Sequence, residues 1–140
     1  MNRVLIDTNV YSAAMRGDAE TVRLLRRVAH IGISSVSVGE LLSGFRAGSK
    51  EQKNRQELGI FLDSPRVALY PVDEETAEHY SSVLNRLKQK GTPIPTNDIW
   101  IAASALQHGL PLCTLDRHFA HVEGLLLCQG DQGDIREDEA

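Results

Sequence analysis

Short apolar runs alternate along this chain with longer segments of helical period, and that alternation constrains the fold more than any other feature. "RVLID" near the N-terminus reads as a strand ending in Asp7, and "TNVYSAAMRG" as a short helix closed by Gly17. Asp18 is placed to cap a helix from Ala19 to about His30, with Val22, Leu25 and Val28 tracing an apolar stripe. A second strand is predicted near His30 to Ser34. A helix follows with Val38, Leu41, Leu42 and Phe45 on one face and Glu40 at its border. Next come a polar helix from about Lys50 to Leu62, a strand in "RVALYPV", and a helix capped by Asp73 that runs to about Lys90. That helix turns Ala77, Tyr80, Val83, Leu84 and Leu87 inward. The "GTPIPT" loop, stiffened by Pro93 and Pro95, precedes a helix from Asn97 to His108, a strand in "LPLCTL" and a last strand in "LLLC". Parallel neighbours need long crossovers, so strands alternating with helices predict one α/β domain with a central parallel sheet flanked by helices on both faces.

That architecture says where function should lie. In open parallel sheets, ligands bind beyond the carboxyl ends of the strands. Asp7 ends the first strand, Asp116 follows the strand at Leu110 to Leu115, Asp98 opens a helix, and Glu40 lies in the helix after the second strand. Taken singly, each acid has a plain explanation: Asp7 and Asp116 as turn residues, Asp98 as a helix cap or first-turn acid, Glu40 as a solvated neighbour of an apolar stripe. Four acids at corresponding strand or helix ends are harder to dismiss together. Carboxylates held within a few ångströms cannot all stay ionised without compensation, which a divalent cation supplies. All-oxygen donors favour Mg2+ or Mn2+, and such an ion can activate water and stabilise charge on a phosphoryl group.

The stretches "LIDTNV", "GELLSGF", "NDIWIAASALQHGLPLCTLD" and "LDRHF" resemble the successive motifs of the PIN domain, in the branch typified by the VapC toxins of bacterial toxin–antitoxin pairs. The likeness runs from about Arg3 to Cys128, with four motifs in the right order. It implies a Rossmann-like sheet and a metal-dependent ribonuclease, often a homodimer, inhibited by a small antitoxin that also binds operator DNA. Carried over position by position, it makes Asp7, Glu40, Asp98 and Asp116 the catalytic acids. Asp7 and Asp98 would be the principal metal ligands, completed by Asp116 and Glu40 directly or through water. Asn9 in "DTN" and Thr114 in "TLD" resemble the polar residues that orient these carboxylates or the attacking water. Asn97 is expected to cap its helix and no more.

Composition sets the remaining bounds. A chain of 140 residues, 41% hydrophobic and 24% charged, suits one globular domain with a real core. No apolar run approaches the roughly 20 residues of a membrane span, and "MNRVLIDTNV" lacks the apolar segment of a signal peptide. A cytoplasmic protein is therefore expected. Cys113 and Cys128 form no metal-binding spacing and are expected to be buried free thiols. The net charge is −4, yet five acids and one base fall in residues 129–140, expected to be a flexible acidic tail beyond a nuclease domain of residues 1–128. The rest holds fourteen acids against fourteen bases, and neutralising the four clustered acids leaves a basic excess suited to RNA.

Other residues are expected to do less. His118 and His121 read as surface histidines after a turn, His108 as a base suited to a helix C-terminus, Trp100 and Tyr80 as packing residues, and Arg23, Arg26 and Arg27 as a basic strip. Three alternatives stand beside the toxin. A phosphoacceptor receiver module would need an acidic pair near the first strand and a lysine after the last, neither of which is present. A housekeeping PIN nuclease and a non-catalytic PIN-like scaffold stay open, although scaffolds typically lose acidic-site residues and this chain keeps all four.

Overall fold

The computed structural model describes residues 2–128, so the acidic tail lies outside the described residues. The elements in chain order are β1 (Arg3–Ile6), α1 (Thr8–Met15), α2 (Ala19–Arg27), β2 (His30–Ser34), α3 (Ser35–Ala47), α4 (Glu51–Asp63), β3 (Val67–Tyr70), α5 (Glu74–Lys90), α6 (Thr96–His108), β4 (Leu112–Cys113) and β5 (Leu127–Cys128). A 3-10 turn, Arg117–His121, separates the last two strands. The five strands form one sheet in the order β3-β2-β1-β4-β5 with every pairing parallel. The α/β architecture with a parallel sheet is thus the one the alternating pattern predicts.

Period-two alternation divides the core. On one face Val4, Ile6, Ile31, Ile33, Cys113 and Cys128 pack against α1 to α4; on the other Leu5 and Leu112 pack against α5, α6, Phe119 and Val122. Gly32 lies where a Cβ would come within 2.5 Å of the Tyr70 ring, so the ring can cross β2 and reach His30, whose Nε2 lies 2.7 Å from the Tyr70 hydroxyl. The crossovers from β1 lead outward through β2 to β3, and the chain then returns to place β4 on the opposite side of β1. Such a reversal opens a crevice at the carboxyl edge between the two directions of travel. Gly109, with φ 64°, ends α6 in the left-handed region and turns the chain into β4.

Several local expectations are corrected. Helix α2 stops at Arg27, and its buried residues are Thr21, Leu24 and Leu25, with Val28 already extended. On α5, Thr76 is buried and Ala77 is exposed, because Thr76 forms a capping box with Asp73 and also donates to Gln107 of α6. The predicted strand Leu110 to Leu115 pairs over Leu112–Cys113 alone. The free-thiol expectation fails as well: Cys113 and Cys128 are disulfide-bonded. Parallel pairing of β4 with β5 sets these two residues side by side, with Cα atoms 4.7 Å apart. No helix among the described residues is long and apolar enough to cross a membrane.

Candidate metal centre

The end of β1 builds the first part of the site. Asp7 caps α1, its Oδ1 accepting the Val10 N–H at 2.9 Å, while its Oδ2 accepts the Thr114 hydroxyl at 2.5 Å. The side chain is 3% exposed, which removes a carboxylate from the water that would stabilise its charge. Burial therefore pushes its pKa up to about 6, with the charges of Asp116 and Asp98 adding to the rise and the two hydrogen bonds opposing it.

Each of the other three acids is also held by a side chain from a different segment. Glu40, on α3, accepts the Thr8 hydroxyl at 2.5 Å on Oε1 and the Asn97 amide at 3.1 Å on Oε2, tying α1 and α6 to α3. Asp116 accepts the Asn9 amide at 3.1 Å, and its backbone N–H donates to Thr114 Oγ1 at 3.0 Å. Thr114, fully buried beside the end of β4, therefore links Asp7 to the backbone of Asp116. Asp98 sits in the first turn of α6, whose N-cap is Pro95, and its Oδ2 lies 2.6 Å from His118 Nε2. Burial raises the Asp98 pKa, opposed by His118 and reinforced by the charges of Asp116 and Glu40.

Asp7, Thr8, Asn9, Glu40, Pro95, Asn97, Asp98 and Asp116 line one cleft of about 500 Å3. Ligand atoms of Asp98, Asp116 and His118 lie within 4.8 Å of one another; Asp7 and Glu40 line the same cleft but fall outside that trio. Three contacts go beyond the sequence reading. Asn97 does not cap its helix but holds Glu40, Thr8 holds the same carboxylate, and His118 reaches Asp98. The one trace of the last in sequence is Phe119: an aromatic in a polar turn signals a buried anchor, which fixes the direction of its neighbour. Trp100 and Tyr80 stack with ring centroids 4.0 Å apart, a packing role as expected. His108 packs its ring 4.4 Å from that of Tyr70.

The donor set fits a divalent cation. The groups acting on the buried Asp7 carboxyl are neutral donors and like charges, and a cation shared with Asp98 and Asp116 would relieve both the desolvation and the repulsion.

A family model described as PIN domain matches residues 4–125. Ribonuclease VapC2 of Rickettsia felis is 29% identical over 133 residues, which cover 91% of this chain and 98% of that protein. Ribonuclease VapC4 of Mycobacterium tuberculosis is 30% identical over 89 residues, covering 64% of this chain and 68% of that one. Among solved structures, the chain superposes on one in the crystal structure of VapBC2 from Rickettsia felis bound to a DNA fragment from their promoter. The TM-score is 0.84 at 27% identity, covering 92% of this chain and 99% of that one.

Proposed function

The chain belongs to the PIN domain family, and from that membership we propose that it is a metal-dependent endoribonuclease and the toxin of a VapBC-type toxin–antitoxin pair. The observation that carries the reading is the convergence of Asp7, Glu40, Asp98 and Asp116, from four separate segments, on one cleft at the carboxyl edge of the sheet. Likeness to ribonuclease VapC2 over 91% of the chain supports RNA as the substrate, and likeness to a chain of the VapBC2 complex supports a small antitoxin as the partner. A cytoplasmic homodimer belongs to the same proposal, through the family resemblance alone.

In this reading Asp7 and Asp98 are the principal ligands of Mg2+ or Mn2+, and Asp116 and Glu40 complete the set directly or through water. The bound ion supplies a Lewis acid that lowers the pKa of water and offsets charge on phosphoryl oxygens. The chain's residues do the rest. Thr114 keeps the Asp7 carboxyl turned toward the cleft and couples it to Asp116; Asn9 fixes the Asp116 side chain; Thr8 and Asn97 hold Glu40 as an oriented acceptor for a water proton. Such preorganisation places the charges before substrate arrives.

The test is production of the protein alone in a bacterial host, then together with the adjacent short reading frame. Growth arrest relieved by the second frame, and absent with the Asp98→Asn protein, is the expected result. A folded, metal-binding wild type that leaves growth unaffected in its native host would favour the housekeeping or scaffold reading.

A further inference from the structure

Among the described residues, the trio whose ligand atoms gather within 4.8 Å includes a histidine in place of a third or fourth acid. Its position is built rather than incidental. His118 lies in the 3-10 turn Arg117–His121, and the next residue, Phe119, is 0% exposed in the core beneath α6. The two rings meet with centroids 5.0 Å apart, so the buried phenyl fixes the turn and the turn sets the imidazole beside Asp98. Nε2 stands 2.6 Å from Asp98 Oδ2, and the side chain is 33% exposed, close enough to solvent for an ion to enter. Asp7 and Glu40 have both carboxylate oxygens engaged by protein donors. The hydrogen bonds to Asp98 and Asp116 engage Oδ2 of each.

Resting on the nuclease reading above, we propose that His118 is a nitrogen ligand of the metal centre, completing with Asp98 and Asp116 a mixed oxygen and nitrogen set that selects Mn2+ over Mg2+. Mg2+ is small and hard, demands near-ideal octahedral geometry and takes oxygen donors. Transition ions accept imidazole nitrogen alongside carboxylate, and Mn2+ is the member of that series whose preferences also suit the oxygen-rich remainder of the cleft. Once metal binding displaces the hydrogen bond between Nε2 and Asp98, the imidazole nitrogen adds binding energy for Mn2+ that Mg2+ gains less from.

The experiment uses the full chain as wild type, His118→Gln and Asp98→Asn. Each is titrated calorimetrically with Mn2+ and with Mg2+, and each Mn2+-loaded sample is examined by pulsed electron paramagnetic resonance for 14N coupling. The wild type is expected to show nitrogen coupling that His118→Gln loses. That variant is expected to bind Mn2+ at least roughly tenfold more weakly, with Mg2+ affinity changed by less than about threefold. Mn2+ bound by the wild type without nitrogen coupling, or coupling that persists in His118→Gln, overturns the proposal. The nuclease reading survives that result if Asp98→Asn still loses metal binding. Wild type that binds neither ion overturns both. Should His118→Gln fail to fold, the wild-type spectrum alone decides.

Discussion

Replacing Asp7 with asparagine is expected to make the metal-free protein more stable at neutral pH. Burial raises the Asp7 pKa from 3.8 to about 6, and each unit corresponds to about 1.4 kcal/mol. Sign follows from proton binding: the unfolded chain releases this proton near 3.8, the folded chain near 6, so the folded state holds more protons in between. Stability of the wild type therefore falls as pH rises through that window, and at neutral pH the ionised group costs the fold up to about 3 kcal/mol. Asparagine keeps an acceptor for the Val10 N–H and carries no charge. Imperfect replacement of the Thr114 hydrogen bond offsets part of the gain, leaving roughly 1–3 kcal/mol. Denaturant unfolding in EDTA from about pH 4.5 to pH 8 is the assay. The variant should be level with or below the wild type at the acid end, gain on it as pH rises, and exceed it by a constant margin above about pH 6.5. With Mn2+ or Mg2+ at a hundred times its Kd, the wild type should gain about 2.7 kcal/mol and the variant far less. An Asp7→Asn protein destabilised by the same amount at every pH would refute the reasoning, since it would mean that Asp7 acts only as a hydrogen-bonded cap.

Thr114→Val, close in shape, removes the hydroxyl that links Asp7 to Asp116; RNA cleavage should fall roughly 10- to 100-fold with a loss of about 1–3 kcal/mol in a denaturant melt. Asn97→Ala frees one oxygen of Glu40 on an exposed part of the cleft, so cleavage should drop on the order of tenfold while the melt shifts by less than about 1 kcal/mol; a large stability loss instead would make Asn97 a structural residue. Gly32→Ala pushes a methyl to within 2.5 Å of the Tyr70 ring, and a thermal melt should register a loss of about 1–3 kcal/mol from overpacking.

The sheet was legible because β-branched runs and helical stripes carry their periods openly, as in Arg3–Ile6 and His30–Ser34. Asp7, Asp98 and Asp116 stood out because a strand or helix end beside an acid is a local pattern. What escaped was set by contacts distant in sequence. The disulfide depends on β4 lying beside β5 in a register that neither strand encodes alone. Thr76 displaces Ala77 from the interior because Gln107 waits 31 residues away. His118 is twenty residues from Asp98, and its role follows from Phe119 entering the core, a tertiary event that a turn motif does not announce. Asn97 looked like a cap because its partner, Glu40, is 57 residues distant.

The most direct test of the central claim is end-group analysis of RNA cleaved by the purified protein, with added Mg2+ or Mn2+ and with EDTA. A carboxylate centre that directs water to phosphorus predicts products with 5′-phosphate and 3′-hydroxyl ends, formed with metal, lost in EDTA and lost in Asp98→Asn. Cyclic phosphate ends, or cleavage that survives EDTA, would instead mean attack by the ribose 2′-hydroxyl and would contradict a metal centre built on Asp7, Glu40, Asp98 and Asp116.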